Sequence, residues 1–402
     1  MSVSPEEEVV RVAARGEGVT TSGRHVPLAA PGDRVFEDGS VAPGAHRRAP
    51  PCKHYPECGG CQLQHLDDTA YAAYLHDRVE GALKAQGLSA PVRTPIISPP
   101  RTRRRATLHA ERRGRQVHLG FTRAQSHALV DLDECWILAP ELFVLLQPLR
   151  GLLAAQLPES GRIDVHLTLA DRGVDVLLKG RLSEGLSAIE AITAFARRHK
   201  LARLSIDDTY GPEARWAPEP VTVTLGGVAV PLPAGSFLQA TREGEAALIA
   251  AAREAIGPAR NVADLFAGLG TFALGLGDGV RAYAAEGARE AILSLKAGAA
   301  QAGRAIFADH RDLFRRPLTG EELGRFDAIV LDPPRAGARE QAANLAGARV
   351  PRIAYVSCNP SSFARDAKML CEGGYSLDWV QPVGQFLWST HVELVGAFSR
   401  QG

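Results

Sequence analysis

A cysteine near the C-terminus lies at the end of a predicted strand. Residues 353–357 lean apolar and predict the strand, and Cys358 is followed directly by Asn359 and Pro360. Asn-Pro favours a turn, and the residue before proline is pushed out of helical backbone space. Cys358 is therefore expected at a strand tip, where its side chain points outward. A buried thiol is one interpretation, because free cysteine is among the most buried residue types; a nucleophilic thiolate is the other.

A glycine-rich turn follows an earlier predicted strand. Residues 264–270 contain Gly268 and Gly270, and glycines at such a turn let a ligand approach the backbone closely. Glu286 ends the next predicted strand, where an acid can accept ribose hydroxyls. An NAD-binding fold has much the same pattern, so this turn alone indicates only a nucleotide-like cofactor.

An acid at the end of the fourth predicted strand narrows this interpretation. In the segment 332–335, Asp332 is followed by two prolines and an arginine, which presents a rigid carboxylate at the sheet edge. Open α/β sheets bind their ligands at that edge. Hydride transfer needs no such element, whereas methyltransferases that act on planar nitrogens or bases often have one.

Three clustered cysteines predict a metal centre in the N-terminal half. Cys52, Cys58 and Cys61 are spaced so that their thiolates can converge on one centre, and glycines 59–60 let the backbone fold round it. Zinc and an iron–sulfur cluster both suit this set. Cys135 is the natural candidate for a fourth ligand.

The elements that must position these residues follow from the wider pattern. Strands alternate with helices from residue 261, which predicts a parallel sheet, and two last strands near 375–383 and 391–399 predict an antiparallel hairpin at its edge. Residues 95–225 predict an α+β region. Residues 9–44 read as short β segments broken by Gly and Pro, typical of a small barrel or a fragment of one.

Composition and charge add limits to these interpretations. The chain has 402 residues, 45% hydrophobic and 23% charged, so two to three domains are expected. It shows no apolar leader and no apolar run long enough to span a membrane, so a cytoplasmic protein is expected. The net charge of +1 is uninformative, but between Arg101 and Arg115 seven arginines face one acid. Arginine pairs with phosphate and stacks on bases, so this run favours RNA contact.

Together these motifs resemble the family of S-adenosylmethionine-dependent RNA uracil-5-methyltransferases, which make 5-methyluridine in 23S ribosomal RNA or tRNA. The resemblance covers roughly residues 50–400 and keeps the order of the family's motifs. It includes three further elements: Phe237-x-Gln239, Ala364-Arg365-Asp366 and His391-Val392-Glu393.

The resemblance implies an α/β fold whose class I (Rossmann-like) methyltransferase domain has a mixed seven-stranded sheet. An α+β RNA-binding central domain and a small N-terminal β segment precede it. We expect a partial barrel-like RNA-binding segment in 1–46, the iron–sulfur loop and central domain in 47–230, and the methyltransferase domain in 231–402.

The resemblance also implies the ligands. The four cysteines are expected to bind a [4Fe-4S] cluster, and because that set is typical of the ribosomal-RNA branch, 23S rRNA is favoured over tRNA. The position that contacts adenine could fall on Asp309 or its neighbours. The residues expected to bind S-adenosylmethionine are Gln239, Phe266, Gly268, Gly270, Thr271, Glu286, Asp309 and Asp332.

The chemistry of uracil fits this reading independently. C5 is a poor nucleophile, and a thiolate that adds to C6 turns C5 into an enolate-like carbon able to attack the sulfonium methyl. Cys358 is the expected nucleophile, and Glu393 is the expected base for the C5 proton. Asp332 could hydrogen-bond the uracil edge or steady charge during addition. The target base must leave its stack to reach the thiol.

Three alternatives stay open at this point. The first is methylation of tRNA instead of rRNA. The second is an amino- or N-methyltransferase acting on DNA or protein glutamine, which needs no cysteine nucleophile. The third is a non-catalytic RNA-binding assembly factor on the same scaffold, which is expected to lack Cys358 or the glycine turn. A monomer without an obligate protein partner is expected in each case.

Overall fold

The structure is a computed structural model that describes residues 6–124 and 126–400. Within these ranges, no helix has the length and apolarity that a membrane crossing requires.

The N-terminal part is a small antiparallel sheet in the strand order β3-β2-β1-β4-β5. Its few apolar side chains form a separate small core around Val9 and Val35. The buried Asp33 accepts hydrogen bonds from the backbone of Ala30 and Gly44 and pairs with Arg47, which closes the sheet against the following segment. The strands are β1 (Glu7–Val12), β2 (Gly18–Thr20), β3 (His25–Val26), β4 (Arg34–Val35) and β5 (Val41–Ala42).

A helix and a short strand come next. The helix α1 (Asp68–Ala85) is capped at its N-terminus by Asp67, whose side chain accepts a hydrogen bond from the backbone N–H of Ala70 at 2.7 Å. Gly87, with φ of +72°, follows its end. Its apolar face packs into the core of the C-terminal sheet. The strand β6 (Ile96–Ile97) also joins that sheet.

The central part is a six-stranded sheet in the order β12-β11-β10-β9-β7-β8, and helices cover it. Along β7 and β9, buried residues alternate with more exposed ones, which is the pattern of a sheet with one face toward solvent. A leucine-rich core fills the other face. The strands are β7 (Arg105–Arg113), β8 (Gln116–Gly120), β9 (Arg162–Ala170), β10 (Gly173–Lys179), β11 (Arg203–Asp207) and β12 (Glu213–Trp216). The helices are α2 (Pro140–Phe143), α3 (Leu146–Gln156) and α4 (Leu186–Arg198).

A hairpin links the central part to the C-terminal part. It consists of β13 (Thr222–Leu225) and β14 (Val228–Pro231). Its buried side chains share a core with Leu295 of the C-terminal part.

The C-terminal part is a mixed sheet in the order β17-β16-β15-β18-β19-β21-β20-β6. Strands β15 to β19 are parallel, and β20 and β21 form the predicted antiparallel hairpin. The strands are β15 (Asn261–Leu265), β16 (Arg281–Glu286), β17 (Ile306–His310), β18 (Ala328–Leu331), β19 (Arg352–Ser357), β20 (Ser376–Gly384) and β21 (Glu393–Ser399). The helices are α5 (Arg242–Ile256), α6 (Thr271–Gly275), α7 (Arg289–Gln301), α8 (Gly320–Leu323), α9 (Arg339–Gly347) and α10 (Pro360–Glu372).

Residues 261–399 therefore supply seven strands, the number predicted, and β6 adds an eighth by pairing in parallel with β20. The sequence did not indicate β6, because two residues are too few to show a strand periodicity. Strand β18 is buried at every position, since helices cover both faces of a parallel sheet. The fold is thus the mixed α/β fold expected for a class I methyltransferase. The domain boundaries at 46 and 230 stay a prediction.

Candidate active site

A cleft of about 880 Å³ opens at the carboxyl ends of the parallel strands. The strand ends of the C-terminal sheet form one wall, and the segment before and within β7 forms part of the other. Eight of the predicted site residues line this cleft: Gln239, Phe266, Gly268, Thr271, Glu286, Asp332, Cys358 and Glu393. Gly270 and Asp309 do not line it.

The glycine-rich turn needs its glycines for two different reasons. Gly268 has φ of +55° and faces open space, so the backbone is bare toward the cleft. Gly270 has φ of +93°, and a Cβ there would lie 2.3 Å from Cδ1 of Leu295. Gly268 therefore serves access to the cleft, whereas Gly270 serves the close packing of the turn on α7. Phe266, with φ of +65°, is a non-glycine residue in the same left-handed region.

Glu286 closes this turn from the neighbouring strand. Its carboxylate accepts hydrogen bonds from the backbone N–H of Gly268 at 2.9 Å and of Ala288 at 2.6 Å. The acid at the end of β16 therefore lies directly beside the bare backbone of the turn, inside the cleft.

Asp309 has a different partner from the one expected. Its carboxylate accepts a hydrogen bond from the hydroxyl of Tyr283 at 2.5 Å. Three residues further along, Asp312 lines the cleft, as does Phe314. The ring of Phe314 lies 5.3 Å from the ring of Phe266. A neighbour of Asp309, and not Asp309 itself, thus faces the cleft.

Cys358 and Glu393 lie at the same end of two neighbouring antiparallel strands. The last registered pair of β19 and β21 is Ser357 with Leu394; Cys358 directly follows β19, and Glu393 is the first residue of β21. Both side chains line the cleft. The sheet therefore brings together two residues that are 35 positions apart in the sequence.

These groups titrate far from their ordinary ranges. Burial raises the pKa of the Cys358 thiol to about 11, and the nearby carboxylates of Glu393 and Asp332 add to this rise. Burial raises the pKa of Glu393 to about 7. Burial, with the Glu393 carboxylate, raises the pKa of Asp332 to about 8. Near neutral pH the site can therefore both donate and accept protons.

Hydrogen bonds fix the loop that carries Cys358. The side chain of Asn359 accepts from the backbone N–H of Ser361 as the N-cap of α10, and its amide donates to the carbonyl of Arg335 at 3.1 Å. Ser362 donates to the same carbonyl. The turn after Cys358 is thereby tied to the turn after Asp332.

The predicted arginine run divides into separate roles. Arg104 is buried and pairs with Glu245 at 2.5 Å, so it is not free to meet a phosphate. The guanidinium of Arg105 lies 4.3 Å from the ring centre of Phe237, and both side chains line the cleft. Arg103 also lines the cleft, between aromatic rings. The run is thus not a uniform RNA-facing surface, because its first residues pack between the central and C-terminal parts.

Several cleft residues were not predicted as site residues. Gln385, Phe386, Ser389 and His391 lie in the loop between β20 and β21. Phe386, Ser389 and His391 line the cleft, and Gln385 is buried. His391 belongs to the motif that ends in Glu393; for the other three, closeness to Glu393 along the chain was the signal.

The four clustered cysteines line one small cavity together with Trp136. Four thiols around one cavity form a donor set that either a zinc ion or an iron–sulfur cluster can use.

Comparisons with known proteins identify the family of the chain. Residues 299–400 match the family model described as tRNA (Uracil-5-)-methyltransferase. An uncharacterized RNA methyltransferase of Zymomonas mobilis is 52% identical, over 98% of this chain and 100% of its own length. The 23S rRNA (uracil(1939)-C(5))-methyltransferase RlmD of Halomonas elongata is 32% identical, over 90% of this chain and 78% of its own.

A solved structure shares the fold. It is the Pyrococcus abyssi tRNA (uracil-54, C5)-methyltransferase in complex with S-adenosyl-L-homocysteine, with a TM-score of 0.74 and 23% identity. The similarity covers 98% of this chain and all of the other.

Proposed function

Because this chain belongs to the S-adenosylmethionine-dependent RNA uracil-5-methyltransferase family, we propose that it methylates C5 of one uridine in 23S ribosomal RNA. Cys358 is the nucleophile and Glu393 the base in this proposal. The observation that carries it is that both residues lie at the same end of β19 and β21 and line one cleft together with Asp332.

The cofactor half of the cleft is the part around the glycine turn. Gly268 offers bare backbone, Glu286 offers a carboxylate for hydroxyl groups, and Phe266 with Phe314 offers aromatic surface. These groups suit the ribose and the adenine of S-adenosylmethionine. When bound, S-adenosylmethionine supplies an electrophilic methyl group. Asp312 takes the place of Asp309 as the acid on this side of the cleft.

The substrate half of the cleft contains the acid–base groups. The pKa of the Cys358 thiol is about 11, so the thiol first loses its proton to solvent. The thiolate then forms a bond to C6 of the flipped uracil, and the electron pair of the C5=C6 bond moves onto C5 and O4. Asp332, whose raised pKa keeps it largely protonated at neutral pH, donates a hydrogen bond to the uracil edge. Burial raises the pKa of the Cys358 thiol, and the positive charge of Arg335 partly opposes that rise.

Glu393 completes the reaction once C5 carries both its hydrogen and a methyl group. Its carboxylate takes the C5 proton. The electrons of the C–H bond form the C5=C6 double bond as the C6–Sγ bond breaks, and the electron pair of that bond returns to Cys358 as thiolate. A base whose pKa lies near 7 suits this transfer at neutral pH.

RNA is held by the rim of the cleft in this proposal. Arg105 above Phe237 offers a cation and an exposed ring for phosphate and base contact. The relative from Halomonas elongata, named for uracil 1939 of 23S rRNA, supports rRNA as the substrate. The Pyrococcus abyssi structure and the matching family model are named for tRNA, so tRNA is the alternative substrate.

We further propose that Cys52, Cys58, Cys61 and Cys135 bind a [4Fe-4S] cluster. Their shared cavity supports it, because four cysteine thiolates are the usual ligand set of such a cluster. The test is anaerobic purification: an iron–sulfur absorption band with about four irons per chain is expected, and it should be lost in Cys135→Ser. A colourless protein with one zinc per chain would replace the cluster by a structural metal.

The function is tested by mapping 5-methyluridine in total RNA from cells that lack the gene. One position in 23S rRNA should lose the modification, and the purified protein should restore it in vitro. Loss from tRNA alone would overturn the choice of substrate. Unchanged 5-methyluridine in both RNAs would overturn the proposed function.

A further inference from the structure

We infer that Gln62 is a positioning residue: it ties the cysteine loop (residues 52–61) to the loop of residues 385–392, and so fixes the wall of the cleft that precedes Glu393. This inference rests on the proposed function, because it assigns a role beside the proposed base.

The loop before Glu393 has a backbone that needs support from outside. Trp388 has φ of +57°, a left-handed conformation that is unfavourable for a bulky side chain. Within the loop, the N–H of Ser389 donates to the carbonyl of Phe386 at 3.0 Å. Ser389 and His391 line the cleft, and Glu393 follows them at the start of β21. The conformation of this loop therefore sets the shape of the cleft beside the proposed base.

The backbone that leaves the cysteine loop supplies part of this support. The N–H groups of Gln62 and Leu63 both donate to the carbonyl of Trp388, at 2.8 and 2.9 Å. The buried side chains of Cys61 and Trp388 pack in one small cluster with Ile137. The segment after the cysteine loop therefore holds Trp388 by both its main chain and its side chain.

The side chain of Gln62 adds a second connection, and backbone groups alone fix its orientation. Its Nε2 atom donates to the carbonyl of Gly59 at 2.6 Å, and its Oε1 atom accepts from the N–H of Thr390 at 3.4 Å. A carbonyl can only accept and a backbone N–H can only donate, so the reverse orientation of the amide would satisfy neither partner. The amide therefore bridges the cysteine loop and the residue just before His391.

The cysteine-loop end of this bridge is anchored in the central part. The N–H of Gly59 donates to the carbonyl of Thr122 at 2.9 Å, and a Cβ at Gly59 would lie 2.7 Å from that oxygen. The close approach therefore requires glycine. Gly59, Gly60 and Gln62 line the cleft themselves. Gln62 thus joins two walls of the cleft, one anchored to the central part and one belonging to the C-terminal sheet.

Cys358 is held by a different set of contacts. Asn359 and Ser362 anchor its turn to the carbonyl of Arg335, and the glycine turn belongs to the cofactor half of the cleft. Loss of the Gln62 bridge should therefore spare thiol addition and cofactor binding, and it should slow the step that uses Glu393.

Hydrogen exchange followed by mass spectrometry tests the bridge itself, independently of any activity. Gln62→Met removes both amide hydrogen bonds at nearly constant volume. The peptide that covers residues 386–392 should exchange about five- to tenfold faster in this variant, while peptides of β9 and β10 keep the wild-type rate. Unchanged exchange of residues 386–392 would overturn the inference, whatever the protein methylates.

The matched control is Gln341→Met. Gln341 is a buried glutamine whose amide also bonds in both directions to the backbone of another segment. It donates to the carbonyl of Leu318 at 3.1 Å and accepts from the N–H of Leu318 at 2.8 Å, outside the cleft. This variant should lose stability without faster exchange in residues 386–392. Equally fast exchange there in both variants would mean a general loosening of the fold and would refute a specific bridge.

Two kinetic measurements separate positioning from folding. RNA that contains 5-fluorouridine blocks the reaction before the step that uses Glu393, so Gln62→Met should trap about as much RNA per chain as the wild type. On ordinary RNA, its kcat should fall about tenfold, while its KM for S-adenosylmethionine stays within about twofold. An unchanged kcat would contradict the positioning role, and so would a fall that only matches a lower trapped fraction, because fewer folded molecules would explain it.

Failure of the proposed function gives a different result. If the wild type transfers no methyl group to uridine, the proposed function is wrong, and the hydrogen-exchange rates still decide whether Gln62 joins the two loops.

Discussion

Cys358 and Glu393 lie directly beyond the Ser357–Leu394 pair that ends the ladder between β19 and β21. The two strands are neighbours in the sheet but far apart in their connection, since α10 and β20 lie between them along the chain. The sheet therefore positions Glu393 and the start of the turn that carries Cys358, and the hydrogen bonds of Asn359 and Ser362 to the carbonyl of Arg335 fix the rest of that turn.

Cys358→Ala should abolish methylation, with a loss of at least about a thousandfold, because no other group can add to C6. RNA that contains 5-fluorouridine should form a denaturation-resistant complex with the wild type and none with the variant. Cys371→Ala is the matched control, since this half-buried thiol of α10 packs against the core outside the cleft. Normal turnover by Cys358→Ala would exclude covalent catalysis.

Glu393→Gln should still attack uracil and accept the methyl group, but it should retain the covalent RNA adduct. Burial sets the pKa of Glu393 at about 7, and the base works only when ionised. Product release by the wild type should therefore rise with pH from about 6 to 8 and then level. Gel analysis of denatured reactions measures the adduct. A variant that turns over normally would remove Glu393 from the mechanism.

Asn359→Ala should reduce both stability and activity, because Asn359 caps α10 and also ties its loop to the carbonyl of Arg335. Loss of an N-cap costs about 1 kcal/mol of unfolding free energy. Thr319→Ala removes the cap of α8 away from the cleft and should cost a similar amount. Only Asn359→Ala should also lower kcat, by about tenfold or more, since the Cys358 turn loses its anchor. Equal kcat in both variants would contradict this role.

Arg105→Ala should weaken RNA binding about tenfold and reduce the salt dependence of binding by about one charge. The reason is its place above Phe237 at the rim of the cleft. Arg113→Ala is the control from the same strand, because Arg113 is exposed and pairs with Glu111. Fluorescence anisotropy with a uridine-containing RNA at several salt concentrations measures both effects. Equal losses in the two variants would indicate a diffuse charge effect.

Asp264→Asn should stabilise the fold at pH 8 and change little at pH 4. Asp264 is fully buried, and burial raises its pKa to about 7, above the ordinary value near 3.8. An acid whose pKa is higher in the folded than in the unfolded protein contributes its full stability below the unfolded pKa. That contribution is lost as the pH rises through the folded pKa, so the cost of the buried charge is complete above pH 7. Thermal unfolding at pH 4, 6 and 8 measures it. A stabilisation that is the same at every pH would point to packing instead of charge.

The candidate catalytic and cofactor-binding residues could be predicted because the residues next to them in the sequence identify them. Cys358 before Asn-Pro, Asp332 before two prolines and the glycines of 264–270 carry their meaning within a few residues. The strands of the C-terminal sheet were predictable too, since buried parallel strands read as short apolar runs such as 328–331. Each of these features depends on local sequence.

Features that depend on register were not predictable. Gln385 is an ordinary polar residue until β20 and the turn before α5 bring it to Ala240. Asp309 lies near the end of β17, as the sequence indicated, but the hydroxyl of Tyr283 on β16 donates a hydrogen bond to its carboxylate. Arg104, which lies just before β7, is buried in a pair with Glu245, whereas Arg105, the first residue of β7, lies over Phe237 in the cleft. Such assignments need the partner strand, which no local pattern specifies.

The short strand β6 limits which segments of this enzyme can be exchanged by recombination or by protein engineering. Ile96–Ile97 closes the edge of the sheet beside β20, and α1 fills the core beneath it. The C-terminal part therefore cannot be exchanged as an independent unit. A chimera that replaced residues 1–230 would leave the edge of β20 unpaired and would expose the apolar face that α1 covers. Any recombination that keeps the C-terminal part folded must therefore keep residues 68–97 together with it.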